Sequence, residues 1–277
     1  MRQVMPLAAA SLLLAACTAD PAAERPATGS VPPACEGPQR LEVDGRGCVA
    51  VRRFGQATSD TLIVMLHGDV SSGGPASYHF PFTQRIADRV PDAAVVALVR
   101  PGYPDGAGNT SAGTNYNRTD QYTAGNMDIM AGAIQALKRE TGATRVIAVG
   151  HSGGAATIAN ILARDQGLID AAALLACNCN IAAWRDGFGR QPWTRSLDPY
   201  RLADSVPMTA RVVGYTGAND TNAFPSQKRS YIEKLTARGV HAEMHVVPGA
   251  GHNSIDAMWQ AGLADWVARE ASRRPTS

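Results

Sequence analysis

The 277-residue chain has little excess charge of either sign, with 26 Lys and Arg against 24 Asp and Glu and a formal net charge of +2. Its basic residues are scattered rather than gathered into a stripe, which argues against nucleic-acid binding. Long apolar runs are scarce. The one near the start, Val4 to Ala16, is too short to span a bilayer. No internal repeat is visible, so a solenoid or propeller is not expected. Cysteine is limited to five residues. His241 and His245 share a strand face with no Cys or Asp cluster beside them, so no metal and no cofactor are expected. What remains, 45% apolar and 18% charged residues, suits one large globular core, read most simply as a single domain.

The first residues have the order of an export signal: Met1 and Arg2 are positive at the start, the apolar run follows, and Ala15 and Ala16 precede Cys17. Residues 1–16 are therefore excluded from the fold. The stretch "LAAC", Leu14 to Cys17, resembles the bacterial lipoprotein lipobox, in which the chain is cut immediately before a cysteine that becomes lipid-modified. That resemblance implies a protein exported to the bacterial envelope and attached to a membrane through Cys17 without a spanning helix. An ordinary signal peptide cleaved nearby is the alternative. Residues 17–34, rich in Pro, Ala, Ser and Thr, read as a flexible tether.

Setting Cys17 aside, Cys35, Cys48, Cys177 and Cys179 form an even number in an oxidising compartment. Cys35 and Cys48 flank a hairpin pattern with an Asp-Gly turn, and a disulfide is expected between them. Two residues apart on a strand, Cys177 and Cys179 share a face near the outer limit of bridging distance. A bridge and two buried thiols both remain open.

Beyond the hairpin, continuous apolar runs such as "TLIVML" and "RVIAVG" alternate with helical segments, the last from about Ile255 to Ala271. This alternation predicts an α/β fold in residues 35–277, with a mostly parallel sheet covered on both faces. Chemistry in such folds gathers at the carboxyl ends of strands.

One candidate lies there in "GHSGG", residues 150 to 154, between an apolar strand and a small-residue helix. A serine on such a sharp turn stands exposed at the amino end of a helix, and the Gly153 N–H beside Ser152 is an oxyanion donor. Gly150 and Gly154 lack the Cβ atoms that would clash where strand and helix approach. Serine needs a base, and His252 in "PGAGHNS" follows the last strand. The base needs an acid to hold its tautomer. Asp220 in "GAND" is best placed, with Asp186 in reserve. A second oxyanion N–H is assigned to Asp69 in "LHGD", with Val70 as alternative. His67 and His151 are read as shaping their loops.

The order Ser152, Asp220, His252, each after a separate strand, is that of the α/β-hydrolases. From Thr61 to about Ala271 the chain resembles this family, and its carboxyl half is similar to prolyl oligopeptidase and dienelactone hydrolase-like catalytic domains. The matching pieces are "LHGD", "RPGY", "GHSGG", "DPYRLADSVP", "GAND" and "VVPGAGH". The few dozen residues before Thr61 leave no room for an oligopeptidase propeller. The resemblance implies a serine hydrolase that cleaves a carboxylic ester in a small molecule or short polymer. An amidase or peptidase using the same triad, and a non-catalytic envelope lipoprotein, are the alternatives.

Arg100, Tyr103 and Tyr116 fall on a loop expected to border the site and contact substrate. Trp184 joins them from residues 178–206, read as a short cap that also carries Trp193, Arg185, Arg190 and Arg195. These arginines suit either an anionic substrate or a solvated surface.

Overall fold

Alternate residues of the apolar runs end up on opposite faces of one sheet. In the computed structural model, which describes Met1 and residues 35–273, Val64, Leu66, Val146 and Ala148 belong to one buried cluster. Ile63, Met65, Ile147 and Val149 belong to another. Successive strand side chains point to opposite faces, so a strand apolar at every position requires helices on both sides. The leader, Cys17 and the tether lie outside the described residues. Among the described residues no helix is long and apolar enough to cross a membrane.

The hairpin is β1 (Arg40–Val43) and β2 (Gly47–Gly55), antiparallel with Val43 opposite Gly47. The other strands are β3 (Thr61–Leu66), β4 (Ala94–Leu98), β5 (Arg145–His151), β6 (Ala171–Leu175), β7 (Arg211–Gly217) and β8 (His241–Val247). Their spatial order is β1-β2-β4-β3-β5-β6-β7-β8. β2 runs antiparallel to β4, and every later pairing is parallel. The expected α/β-hydrolase fold and its amino-terminal hairpin are both present. Cys35 is bonded to Cys48 of β2, tying the residues before β1 to the sheet.

One face is covered by α1 (Phe80–Arg89), whose first turn accepts Pro81 because no backbone donor is needed there. The opposite face carries α2 (Ala124–Thr141) and α3 (Gly153–Arg164). Thr123 caps α2 at its start, and Gly142 ends it in the left-handed region at φ 75°. The connection after β6 holds α4 (Ile181–Gly187) and α5 (Pro199–Leu202). Asp198 accepts from the N–H groups of Ile181 and Ala182, clamping the start of α4 to the start of α5. The next helix, α6 (Pro225–Ala237), connects β7 to β8 and packs against both.

The closing helix is not the single rod the periodicity predicts. It comprises α7 (Ile255–Met258), a π-helical turn over Trp259–Leu263 with Gly262 at φ 115°, and α8 (Ala264–Ser272). At the amino ends of the parallel strands, Glu270 of α8 is only 1% exposed. Its carboxylate accepts from Arg145 at 3.0 Å, Arg211 at 2.9 Å and Arg273 at 3.1 Å. A buried carboxylate needs such compensation for its lost hydration.

Candidate active site

Where β5 passes into α3, Ser152 adopts φ 52° and ψ −117°. A side chain in this region is strained by roughly 1–3 kcal/mol and persists only where its surroundings enforce it. Here the Ser152 N–H donates to the Leu175 carbonyl at 2.8 Å, fixing the turn to β6. A Cβ on Gly154 would run into the carbonyl oxygens of Leu66 and His67, and one on Gly150 into the backbone of Gly154 and Ala155. The two glycines thus allow strand and helix to meet at this angle. Gly153 N–H, in the first turn of α3, has no intrahelical acceptor available.

The loops after β7 and β8 are joined before they present their side chains. Ala218 N–H donates to Val247 O and Asn219 N–H to Ala250 O, both at 2.9 Å. This backbone pairing carries Asp220 and His252 into contact. His252 Nδ1 lies 3.0 Å from Asp220 Oδ2, and its Nε2 lies 2.9 Å from Ser152 Oγ. A carboxylate can only accept, so Nδ1–H donates to Asp220 and the Nε2 lone pair faces the serine hydroxyl. Burial pushes the Asp220 carboxyl up, but the hydrogen bond and charge of His252 and the N–H groups of Ala223 and Asn222 outweigh it. The carboxyl is held below its ordinary range. Asp186, near the end of α4, is exposed and makes no hydrogen bond to His252.

Sequence reasoning missed a second chain of polar groups behind this one. Gly68 N–H donates to the Tyr78 hydroxyl at 2.5 Å, and that hydroxyl lies 2.7 Å from His151 Nδ1. His151 Nε2 lies 3.0 Å from the His252 carbonyl oxygen. That carbonyl fixes the tautomer: Nε2–H donates to it, and Nδ1 accepts from Tyr78. Burial depresses the His151 imidazole to about 4, leaving it neutral near pH 7. His151 therefore joins the His252 backbone to the loop after β3, a role that the flanking motif does not signal.

Asp69, in that loop, turns its carboxylate to Arg100 Nη1 at 2.7 Å. This pairing corrects the expectation that Arg100 contacts substrate. Arg100 is only 2% exposed and is also stacked near Tyr103 and Tyr122, so its charge is spent behind the wall. Tyr103 is buried with its hydroxyl donating to Gln121, and Tyr116 lies under the Arg195 guanidinium. None of the three lines the cavity at Ser152. Trp184 does, with its indole N–H donating to Asn222 O at 2.8 Å.

That cavity measures about 790 Å³, and Tyr78, Asn178, Trp193 and Asn222 also line it. Asn178 is held between Cys177 and Cys179, which are bonded with their Cα atoms 5.2 Å apart. The strand geometry that left this pair open does not apply. β6 stops at Leu175, and Ala176 turns the chain at φ 46°.

Beneath the Asp220 loop, Lys228 of α6 is fully buried and donates to Tyr215 O at 2.6 Å. Burial lowers its ammonium to about 7, and the Asp220 charge offsets this only in part.

Est1E from Butyrivibrio proteoclasticus shares this fold with a TM-score of 0.63 at 12% identity, over 84% of this chain and 98% of its own. An esterase from Pyrococcus furiosus matches at 0.61 and 13% identity, covering 83% and 89% of the two chains. Puromycin hydrolase matches at 0.66 and 17% identity, over 83% of this chain but 38% of its own. No curated protein matches the chain in sequence. The model of the alpha/beta hydrolase family matches residues 63–205, about half of the sequence, and the chain belongs to that family.

Proposed function

We propose that this α/β-fold hydrolase cleaves a carboxylic ester through an acyl-enzyme on Ser152. The observation that carries the reading is the continuous contact from Ser152 Oγ through His252 to Asp220, on a serine held at positive φ. Ser152 Oγ attacks the ester carbonyl carbon while His252 Nε2 takes the hydroxyl proton. The tetrahedral oxyanion receives the N–H groups of Gly153 and Asp69. Collapse expels the alcohol, which leaves with the proton from His252. Water then repeats the sequence: His252 takes its proton, the hydroxyl adds to the acyl carbon, and Ser152 departs with the proton restored. Asp220 stays ionised throughout and stabilises the imidazolium.

The leader and its "LAAC" motif support an exported protein lipidated on Cys17. Residues 178–206 act as the short cap of the catalytic domain, since Trp184, Arg185, Arg190 and Trp193 all line the cavity. Incubation of the full chain, expressed in a bacterial host, with a fluorophosphonate, followed by peptide mapping, tests both points. The expected map carries one adduct, on Ser152, and a lipidated Cys17 as the new amino terminus. An unlabelled Ser152 in folded protein rejects the serine mechanism. An unmodified peptide that runs through Cys17 rejects the anchor.

A further inference from the structure

We infer that the cavity beside Ser152 selects esters that carry a carboxylate away from the scissile bond; this rests on the ester-hydrolase reading above. Three guanidinium groups line the cavity: Arg118 from the loop after β4, and Arg185 and Arg190 from the segment after β6. Among the described residues none of the three has a carboxylate partner within ion-pair distance. Elsewhere many arginines are paired, as Arg53 is with Glu140, Arg89 with Asp265 and Arg139 with Asp44, and those that are not, such as Arg40, Arg201 and Arg229, lie apart from the cavity and do not converge on one space. Arg195, from the same segment as Arg185, is engaged with Asp120 and does not line the cavity.

No carboxylate of the wall is free to neutralise them. Asp69 is committed to Arg100. Asp186, next in sequence to Arg185, is exposed and not part of the wall. The cavity therefore presents net positive charge in a partly enclosed space, where an anion is held more strongly than on an open surface.

Arg185 is also pre-positioned. Its Nε–H donates to Gln191 O at 2.9 Å, and its guanidinium carbon lies 5.1 Å from the Trp193 ring centre and 5.8 Å from that of Trp184. A planar fork held this way matches the two oxygens of a carboxylate and loses little freedom on binding. A second observation points to a polar ligand. Asn178 lines the cavity at 3% exposure, and its side-chain oxygen has no hydrogen-bond partner in the protein. That oxygen only accepts, so the ligand group that meets it is a hydroxyl or N–H elsewhere on the ester and not the carboxylate, which the arginines take.

The test uses the full chain and two esters of matched size, the para-nitrophenyl hemiester of glutaric acid and its neutral methyl-capped counterpart. The expected result is a preference for the charged ester of about ten-fold in kcat/KM at low salt, shrinking as ionic strength rises. In the double variant Arg185→Gln with Arg190→Gln, and in Arg118→Gln, that ratio falls by up to about ten-fold. Arg139→Gln, outside the cavity, keeps the ratio. A neutral ester turned over as well as the charged one, or a ratio unmoved by the cavity arginines, overturns the inference while the hydrolase reading stands. If neither ester is turned over, the ester reading fails and binding decides the charge question. Tryptophan fluorescence of Ser152→Ala is then titrated with both esters: tighter binding of the charged one, lost in the arginine variants, upholds the inference, and equal binding overturns it.

Discussion

At the amino ends of β5 and β7, Glu270 is buried under three arginines. At the carboxyl ends of the same strands, Ser152 is strained, Lys228 is buried without a carboxylate in contact, and three arginines face a cavity unpaired. Both ends hold charge out of water, yet only one satisfies it. A saturated network can do nothing but hold helices to strands. Unsatisfied groups cost stability and leave donors and charges available for a ligand, the arrangement expected where catalysis trades against stability.

The largest break in this contrast is expected at Ser152. Ser152→Ala should lower kcat by about ten-thousand-fold or more while Tm stays nearly unchanged, because alanine keeps the same strained φ. Ser152→Gly should lose activity equally but gain about 1–3 kcal/mol in denaturant unfolding as the strain disappears. Equal stability of Ala and Gly variants would refute the claim of strain.

Glu270→Gln should do the reverse. Removing one carboxylate strands the surrounding guanidinium groups and should lower unfolding stability by about 3–5 kcal/mol. Turnover per folded molecule, measured well below the transition, should not change. A loss of kcat in folded protein would show that the two ends are coupled.

The effect that is smallest per step of the variable changed is a pH slope. Lys228 holds its proton less tightly folded, at about 7, than at its ordinary 10.5. Between these values the unfolded chain binds the extra proton, so this residue makes folding more favourable as pH rises through the window. Below about pH 7 the full cost of burying the ammonium is present. Wild type should gain up to about 1.4 kcal/mol per pH unit relative to Lys228→Met between pH 7 and 10. A constant difference across those pH values would place the Lys228 proton outside this window.

The sheet and the three contacting residues were readable because both rest on repeated local signals. Continuous apolar runs specify strands buried on two faces; Ser152 and Asp220 stand just past such runs, and His252 just past the mixed, largely unburied edge strand β8. The cavity wall was less legible. Arg100 and Tyr103 sit in a suitable loop, but whether a loop side chain faces the cavity or the core depends on partners distant in sequence, here Asp69 and Gln121. Tyr78 lies just before α1 and has no motif of its own, while Arg118 reaches the cavity from a loop with no period to orient it. The break at Gly262 was hidden for a different reason: the apolar spacing continues across the π turn, so the helical period alone gives no sign of the kink.

The pairing of the loops after β7 and β8 separates two kinds of inheritance in the chain. Because Asn219 bonds to Ala250, Asp220 and His252 are brought together by backbone pairing, and the long connection after β6 touches that piece through side-chain contacts such as Trp184 on Asn222 O. Under the proposed function, changes of composition in residues 178–206 that keep Trp184 should alter which molecules are admitted while the contacts among Ser152, His252 and Asp220 stay in place. Such a scaffold permits a new specificity to be acquired by exchanging one segment rather than rebuilding the reaction centre.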